Sequence, residues 1–438
     1  MKPVAGVLPQ VAIVASQASL QMGGEAALAV QHFRGLLASQ VPAYLVCHAR
    51  ARKELQQLFP HAQSRIFYVK DTWPHGMLWT LGQCLPQRVR DASTAMLLEW
   101  LTQRQQLPII QALVLAGQID VVHQPMPVSP KAPSCLAGLG VPVVMGPMNG
   151  GMDYPPGLAH RESRWVRALV QLGRGAANLA NRLIPGKLKA EVLLVANART
   201  RKALPQGTTG RVFEMVENGV DLSQWPARQW PVPAVQPEVL RFCFVGRLVS
   251  WKAVDLLLRA FAVARSQSVL PLRLDIVGDG PQASALNRLA KHLQLTVAQH
   301  GDLADVVFHG WLNQADCSRV LMGCDALVLP SLLECGGAVV LEAMASALPV
   351  IATDWGGPAQ YLDASCGILV PVTSERALMA GLADAMQVLA HDAALRHRMG
   401  LRGRQKVAQK HAWHQKTKLM LAIYAEIVKK PSQVKSMI

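Results

Sequence analysis

The sequence predicts an α/β protein built from two doubly wound domains. Segments with the pattern of a buried strand are followed again and again by segments with helical periodicity, which is typical of parallel sheets covered by helices. A proline-rich stretch separates two such series, and its prolines are Pro226, Pro231, Pro233 and Pro237. Since proline stiffens a chain and ends regular structure, we interpret this stretch as a linker at a domain boundary.

The length and composition agree with this division. The chain has 438 residues, of which 51% are hydrophobic, enough for the cores of two or three ordinary domains. We expect an N-terminal domain over residues 1–225, a linker over 226–238 and a C-terminal domain over 239–410. A basic helix is expected over 411–430, and the residues after Lys430 are expected to be disordered.

Several classes of protein are disfavoured by the sequence. No uninterrupted apolar run reaches about 18 residues, so we predict no transmembrane helix. The N-terminal stretch could be mistaken for a signal peptide, but Pro9 and Gln10 interrupt it and a first strand over Val11–Ala15 fits better. The chain has 8 cysteines and no C-x-x-C, which favours reduced thiols in the cytoplasm over a disulfide framework or a zinc site.

The net charge of +16 calls for an anionic partner. Nucleic acid and an anionic membrane surface are the two classes that fit. Aromatic residues make up only 5% of the chain, and it contains neither an RNA-recognition signature nor zinc-finger spacing. The sequence therefore favours a membrane surface, and a nucleic-acid-binding protein is the alternative.

The most informative stretch is ECGGAVVLEAMASALPVIATDWGG, from Glu334 to Gly357. It follows a predicted strand and reads as a glycine-bearing loop, a helix and another strand. Gly336 and Gly337 precede the helix, whose unpaired N–H groups and dipole suit a phosphate. Glu334 in the loop and Glu342 two turns into the helix could both lie along one ligand and accept hydrogen bonds from sugar or ribose hydroxyls.

A second pattern places two cations at another strand end. The sequence FVGRLVSWK runs from a predicted strand to the start of a helix, and it contains Arg247 and Lys252. Two positive charges in this position suit a diphosphate, because they neutralise the charge that develops on a departing phosphate group. The alternative for both residues is ordinary surface charge.

The N-terminal half contains three weaker signals. Gly24 lies in a turn between the first strand and a helix, where backbone N–H groups are exposed. His123 follows a strand and precedes a proline-bounded loop, the place where α/β sites usually form, although it could be an ordinary loop histidine. Asn149 lies in the turn GPMNGG after the next strand.

Residues 161–189 predict an amphipathic helix. Apolar residues recur at helical spacing on one side: Trp165, Leu169, Leu172, Ala176, Leu179 and Leu183. Arginines fall on the other: Arg164, Arg167, Arg174 and Arg182. Such a helix suits a membrane interface. The alternative is a helix that packs its apolar side onto the domain and leaves the arginines in water.

The stretch from Glu334 onward resembles the E-x7-E signature of glycosyltransferase family 4, the retaining, nucleotide-sugar-dependent transferases with the GT-B fold. ENGVD before the linker, GRL with a following lysine, and GDGP resemble further elements of that family. The sequence departs from the family pattern at Ala253 and Ala347, where glycine is usual, and at Gln360, where an acid often stands. The resemblance is strong over residues 242–372 and weak over 50–118.

The resemblance implies two Rossmann-like domains facing across a cleft, with the terminal helix crossing back to the first domain. It implies that Glu334 contacts the donor sugar and Glu342 the ribose. Arg247, Lys252 and the glycine loops would bind the diphosphate; the glycines are Gly24, Gly336 and Gly337. It further places Trp311 and Leu312 near the nucleobase, His123 against donor or acceptor, and Asn149 on the acceptor face.

The function implied is transfer of a sugar from a nucleoside diphosphate sugar to an acceptor hydroxyl, with retention of anomeric configuration. The acceptor would be a glycan or a lipid-linked intermediate at the cytoplasmic face of the membrane. No D-x-D occurs in the sequence and basic residues can hold the diphosphate, so we expect no metal or other cofactor. The alternatives are a sugar-nucleotide epimerase of the same fold and a non-catalytic nucleotide-sugar sensor.

Overall fold

A computed structural model describes residues 8–85, 89–90, 93–230, 236–299 and 304–429. Within these ranges the chain forms two compact units, each with its own parallel sheet. The first unit combines Met1–Gly151, Glu162–Glu217 and Trp413–Ile438, and the second combines Met152–Arg161 and Asn218–Ala412. The chain therefore passes from one unit to the other four times.

The sheet of the first unit has seven parallel strands in the order β3-β2-β1-β4-β5-β6-β7. The strands are β1 Val11–Val14, β2 Ala43–His48, β3 Ile66–Val69, β4 Val121–Gln124, β5 Val143–Met148, β6 Val192–Val195 and β7 Arg211–Glu214. The helices are α1 Gly24–Ala38, α2 Arg52–Leu58, α3 Trp73–Gln83, α4 Thr94–Leu115, α5 Arg164–Leu183, α6 Gly186–Lys189 and α7 Ala198–Lys202. This order reverses between β1 and β4, as in doubly wound sheets.

The second unit repeats the arrangement, with the order β10-β11-β9-β8-β12-β13-β14. Its strands are β8 Leu240–Val245, β9 Leu272–Val277, β10 Val297–Ala298, β11 Val306–Gly310, β12 Ala326–Leu329, β13 Val350–Thr353 and β14 Gly367–Val370. Its helices are α8 Val254–Gln267, α9 Ala283–His292, α10 Gln314–Met322, α11 Ala338–Ala345, α12 Pro358–Tyr361, α13 Glu375–His391 and α14 Ala393–Lys410. The strand order reverses between β8 and β12.

The period of two along the strands divides the core of the first unit into two layers. Val11 and Ile13 of β1 face one layer, which also contains Phe33 of α1. Ala12 and Val14 face the other layer, together with residues of α4. Strands buried on both faces read as continuous apolar runs, which is why these segments were predictable from the sequence.

The last helix, α15 Trp413–Lys429, belongs to the first unit. It inserts Met420, Ile423, Tyr424 and Ile427 into the core layer that contains Phe33. The apolar face of this helix is therefore covered by residues that lie about 400 positions earlier in the sequence. The expected disorder of the tail falls on residues 430–438, which lie outside the described ranges.

The expected domain limits need correction. The units divide between Glu217 and Asn218, so residues 218–225 lie in the second unit, and so does the excursion Met152–Arg161. The described part of the expected linker packs onto the second unit. Arg228 forms an ion pair with Asp325 at 2.8 Å, and Trp230 donates its ring N–H to the Ala347 carbonyl at 3.0 Å. Composition predicted a stiff linker at a domain boundary, because it does not show which side chains find partners.

Among the described residues, none of the helices combines the length and apolar character that spanning a bilayer requires.

Candidate functional site

The second unit gathers the predicted donor-binding residues where its strand order reverses. Arg247 and Lys252 follow β8, and Glu334 follows the adjacent strand β12. The carboxyl ends of parallel strands share one edge of a sheet, and ligands of open α/β sheets bind outside that edge at such a reversal. The Leu332 N–H donates to the Trp251 carbonyl at 2.7 Å, which ties the two loops together.

Glycines shape the loop that carries Glu334. Gly337 has a φ of 77° and immediately precedes α11, so the chain enters the helix from a left-handed conformation that glycine tolerates. A Cβ added at Gly337 would lie 3.1 Å from Cγ of Glu334, so this position also leaves room for the glutamate. Gly336 is buried next to it.

The glycine pair downstream supports the same loop. The Gly357 N–H donates to the Glu334 carbonyl at 2.7 Å. A Cβ added at Gly356 would lie 2.3 Å from that carbonyl oxygen, and one added at Gly357 would lie 2.3 Å from the Cys335 and Gly336 carbonyl oxygens. The sequence showed that this pair followed β13, and the structure adds that its backbone packs directly against the glutamate loop.

Lys252 and Glu334 form an ion pair, with the Lys252 ammonium directly on the Glu334 carboxylate. Both side chains are mostly buried, whereas Arg247 is exposed. Leu248 donates its N–H to the Asp279 carbonyl at 2.9 Å, so the GDGP turn supports the loop that carries Arg247. The arrangement places Lys252 and Glu334 beside a glycine-led helix start, with Arg247 in the loop after the adjacent strand, and such a site can hold a diphosphate and a hydroxylated group attached to it.

Two alanines that depart from the family pattern have an unusual backbone conformation. Ala253 lies between the short turn Ser250–Lys252 and α8, and its φ is 51°. Ala347, the other alanine in a position where the family usually has glycine, has a φ of 60°. Both alanines adopt the left-handed conformation for which glycine is best suited.

Glu342 lies in the second turn of α11 and is half-buried. Burial raises the pKa of its carboxyl group to about 7. Among the residues that the structure describes, none donates a hydrogen bond to this carboxyl group, and none forms an ion pair with it. Partial burial of an acid without a partner in the described chain is costly, and hydroxyl groups of a ligand could supply donors to it.

A pocket of about 590 Å³ lies next to the Arg247 loop in the second unit. It is lined by Leu248, the GDGP turn, α9 and the end of β11 up to Gly310. The predicted nucleobase neighbours follow directly. Trp311 is 69% exposed and Leu312 is half-buried, and neither lines this pocket. The pocket therefore ends one residue before the pair that the sequence singled out.

Sequence reasoning missed one charged cluster at this pocket. Asp275 of β9 is fully buried, and its carboxylate contacts the side chains of His309, Arg241 and Arg273. The His309 Nε2 lies 2.7 Å from a carboxylate oxygen of Asp275. Although burial opposes it, these hydrogen bonds lower the pKa of Asp275 to about 2. His309 lines the pocket, and its contact with Asp275 holds the imidazole in place. Strand period places Asp275 inward, but only the fold brings these residues to it.

In the first unit, Gly24 begins α1 and is exposed, and a Cβ added there would meet no atom within 4 Å. The helix start is therefore open at this position. Contact between this helix start and a phosphate stays a prediction.

The expectation for His123 needs correction. Its side chain is fully buried, with Nε2 2.6 Å from the Gly146 carbonyl and Nδ1 2.6 Å from the Tyr424 hydroxyl. A carbonyl only accepts, so Nε2 carries the proton and the Tyr424 hydroxyl donates to Nδ1. Burial lowers the pKa of His123 to about 4, against the hydrogen bond to Gly146. Both nitrogens are engaged, so this histidine holds the core together and presents no nitrogen to a ligand.

Asn149 is also buried instead of facing an acceptor. Its Nδ2 donates to both oxygens of Glu217 at 3.0 and 2.9 Å, and its Oδ1 accepts from Arg199 at 3.2 Å. This asparagine joins the loop after β5, helix α7 and the end of the first unit's long segment. The sequence placed it correctly at a strand end but could not show that its amide group forms hydrogen bonds within the first unit.

The amphipathic helix predicted over residues 161–189 is present as α5 Arg164–Leu183, followed by α6. Its large apolar side chains are exposed: Trp165, Leu169, Leu172, Leu179 and Leu183. The alternative in which the apolar side packs onto the domain is therefore wrong. No group of three or more His, Cys, Asp or Glu side chains suited to a metal ion occurs within the described ranges.

The family model for glycosyl transferases group 1 matches residues 232–406. The alpha-maltose-1-phosphate synthase of Mycobacterium tuberculosis is 32% identical over 230 residues, which cover 49% of this chain and 57% of that protein. The D-inositol 3-phosphate glycosyltransferase of Saccharomonospora viridis is 32% identical over 219 residues, or 48% of this chain and 49% of that protein. The matched region thus spans about half the length of these curated relatives.

Solved structures match the fold over nearly the whole chain. Anabaena Alr3699/HepE in complex with UDP has 16% identity and a TM-score of 0.61, covering 95% of this chain and 100% of that one. WaaG, a glycosyltransferase involved in lipopolysaccharide biosynthesis, has 15% identity and a TM-score of 0.59, covering 94% and 99%. Residues 232–406 of this chain are therefore similar to the group 1 glycosyl transferases, and the chain has the GT-B fold.

Proposed function

We propose that this protein is a glycosyltransferase that moves a sugar from a nucleoside diphosphate sugar to an acceptor hydroxyl, with retention of the anomeric configuration. The observation that carries the proposal is the Glu342 carboxyl group on α11. It is half-buried, lacks a hydrogen-bond donor among the described residues, and follows a glycine-led helix start. A ribose with two hydroxyl donors would satisfy such a group. The Anabaena structure contains UDP, which supports a donor of this class.

The diphosphate of the donor would lie at the start of α11. Gly336 and Gly337 allow the backbone to approach it, and Lys252 and Arg247 supply positive charge. Because Lys252 already contacts Glu334, the same pair could bridge the β-phosphate and the sugar. Glu334 would then accept hydrogen bonds from the sugar hydroxyls, while Glu342 holds the ribose.

In the reaction, the acceptor oxygen forms a bond to the anomeric carbon and the bond from that carbon to the β-phosphate oxygen breaks. The departing diphosphate gains negative charge and takes up the proton of the acceptor hydroxyl. Arg247 and Lys252 stabilise that charge where it develops. Attack from the face that the diphosphate leaves retains the configuration, so no carboxylate is needed as a nucleophile.

His123 and Asn149 take supporting parts in this proposal. His123 fixes the Gly146 carbonyl through Nε2, and Asn149 fixes Glu217 and Arg199. His123 thereby joins β4 to β5, and Asn149 positions the loop that follows β5. Gly24 leaves the start of α1 open, which supports its proposed part in binding the diphosphate of the donor.

We propose a glycan or lipid-linked acceptor at the cytoplasmic membrane face, and no metal or other cofactor. The net charge of +16 and the exposed apolar residues of α5 support a membrane location. Two cations at the diphosphate position support metal-independent transfer. Activity should persist in a chelator, and activity that disappears in chelator and returns with Mn²⁺ would refute the second part.

The experiment is a thermal-shift screen against UDP-, GDP- and ADP-sugars. One class of donor should raise the melting temperature of the protein, because a ligand that binds only the folded state stabilises it. Glu342→Ala should abolish the shift, whereas Glu238→Ala, at an exposed carboxylate of the same unit, should preserve it. The absence of any donor-dependent shift in the parent protein would overturn the proposal.

Turnover separates the remaining classes of function. Release of nucleoside diphosphate that requires an acceptor supports a transferase. Change of the sugar without acceptor would indicate an epimerase, and donor binding without any turnover would indicate a sensor.

A further inference from the structure

Helix α5 Arg164–Leu183 is attached to the first unit by a narrow row of residues. Its buried residues are Val170, Ala177 and Asn181, which recur at seven and four positions along the helix. The Asn181 side chain donates to the Lys131 carbonyl at 2.9 Å and fastens the helix to the loop after β4. The direction in which the rest of the helix points is therefore fixed by this row.

The apolar stripe of α5 points away from that attachment. We use this name for Trp165, Leu169, Leu172, Leu179 and Leu183, whose exposed fractions lie between 43% and 74%. At about 100° per residue, the centre of the stripe lies about 140° around the helix from the buried row. Five large apolar side chains in one line on the surface exceed what single scattered exposures explain.

The charges of α5 have one sign. The helix contains four arginines and no acidic residue. Arg164 and Arg182 are 18 positions apart, which is five full turns, so they leave the helix in the same direction at one flank of the stripe. Arg167 and Arg174 lie on the far side from the stripe, and Arg167 forms an ion pair with Glu162 at 3.5 Å.

We infer that the apolar stripe of α5, with Arg164 and Arg182 at its flank, is the surface by which the first unit docks on an anionic lipid bilayer. The helix would lie in the plane of the interface, with Trp and Leu side chains below the headgroups and the two arginines on lipid phosphates. The docking surface extends the proposal of a lipid-linked acceptor and rests on that proposal for its biological role. Docking itself can be measured without turnover.

The charge of the surface selects this occupant. A second copy of the chain would bring the same arginines together, and each copy carries +16. A nucleic acid would pair with the arginines but leave the stripe in water. An anionic bilayer satisfies both the apolar and the cationic parts of the surface.

The test is sedimentation of the purified full chain with vesicles of phosphatidylcholine, with and without one part in three of phosphatidylglycerol. The parent protein should bind the anionic vesicles. Leu169→Ser, Leu172→Ser and Leu179→Ser combined should weaken binding by about a hundredfold or more, because three interfacial leucines are lost. Leu115→Ser, at an 88% exposed leucine at the end of α4, should leave binding unchanged.

The arginine positions give a matched comparison on the same helix. Arg164→Gln with Arg182→Gln should weaken vesicle binding on the order of twentyfold, at about 1 kcal/mol per arginine near the surface. Arg167→Gln with Arg174→Gln removes the same charge on the far side and should have a smaller effect. Equal loss from both pairs would contradict the orientation and overturn the inference.

Two further outcomes would overturn the docking surface. One is that the triple leucine variant binds anionic vesicles as tightly as the parent protein does. The other is that the parent protein binds duplex DNA or RNA but does not bind vesicles. Each variant is first checked for the parental melting temperature and the parental donor-induced shift. Loss of vesicle binding with an intact donor shift tests α5 alone, whereas absence of the donor shift in the parent refutes the proposed function.

Discussion

The carboxyl group of Glu342 should make both folding and donor binding depend on pH. Burial raises its pKa from about 4.5 in an unfolded chain to about 7. The folded protein therefore binds this proton more tightly, and the contribution of Glu342 to stability is full below pH 4.5 and is lost as pH rises through 7. A donor ribose prefers the ionised form, so donor binding should follow the opposite direction.

Glu342→Gln should raise the melting temperature relative to the parent at pH 8 and have little effect at pH 5. Gln keeps the shape of the side chain but never ionises, so it removes only the cost of the buried charge. The same variant should bind donor more weakly at pH 8. Calorimetry of both proteins at the two pH values checks this, and a stabilisation of equal size at both would contradict it.

Ala253 adopts a backbone conformation that is unfavourable for alanine. Its φ of 51° is costly for alanine and free for glycine. Ala253→Gly should therefore change the free energy of unfolding by about 0 to +1 kcal/mol, since relief of backbone strain offsets the entropy that glycine loses.

Ala260→Gly is the matched control, because Ala260 is equally buried but lies inside helix α8. That change should lower the free energy of unfolding by about 1 kcal/mol. Urea denaturation of the two variants measures the difference. Equal destabilisation by both would mean that the left-handed conformation at Ala253 carries no cost.

Among the elements, α15 depends most on distant partners. It packs in the core of the first unit, and its Tyr424 hydroxyl supplies the hydrogen bond to Nδ1 of His123. His123 also lies beside His32 of α1, with ring centroids 4.7 Å apart. One hydroxyl therefore connects the last helix to β4, at a histidine that packs against α1.

Tyr424→Phe should lower the free energy of unfolding by about 1 to 3 kcal/mol, because it leaves a buried ring nitrogen without a donor. Tyr68→Phe removes a half-buried hydroxyl whose contact with Gln63 is 3.5 Å long, and it should have little effect. Thermal denaturation followed by circular dichroism compares them. The donor-dependent shift should survive in both, since neither residue lies in the second unit.

At the scale of the whole molecule, a short excursion from the first half of the sequence completes the second unit. Met152–Arg161 belongs to that unit, and Arg161 contacts both Asp255 of α8 and Glu375 of α13. Gly157 approaches the Thr373 carbonyl so closely that an added Cβ would lie 1.7 Å from its oxygen. The second unit is therefore incomplete without residues that precede it by about 60 positions.

Arg161→Met should lower the stability of the second unit by about 1 to 3 kcal/mol, because two carboxylates lose a partly buried, charged hydrogen-bond donor. Arg319→Met removes an exposed pair with Asp316 and should cost less than about 0.5 kcal/mol. Hydrogen exchange can assign the change to one unit. Loss of protection confined to the first unit would contradict the grouping of this excursion.

The alternation of strands and helices, and the position of the predicted donor-binding motif at strand ends, could be predicted from local patterns of the sequence. The strand predicted over Val11–Ala15 is present as Val11–Val14, and the strand predicted before Glu334 is present as Ala326–Leu329, because strands buried on both faces leave a local signature. Lys252 and Glu334 are 82 positions apart, yet each was found from its place at a strand end. Parallel topology then brings such ends together.

Which polar groups remain available, and where the units end, depends on the tertiary fold and could not be predicted. His123 and Asn149 sit at strand ends as predicted, but Tyr424 and Glu217 occupy their hydrogen-bonding groups. The apolar stripe of α5 was visible as periodicity, whereas its exposure depends on which row of the helix attaches to the body. Burial and partnership depend on contacts between distant residues, and local patterns do not contain that information.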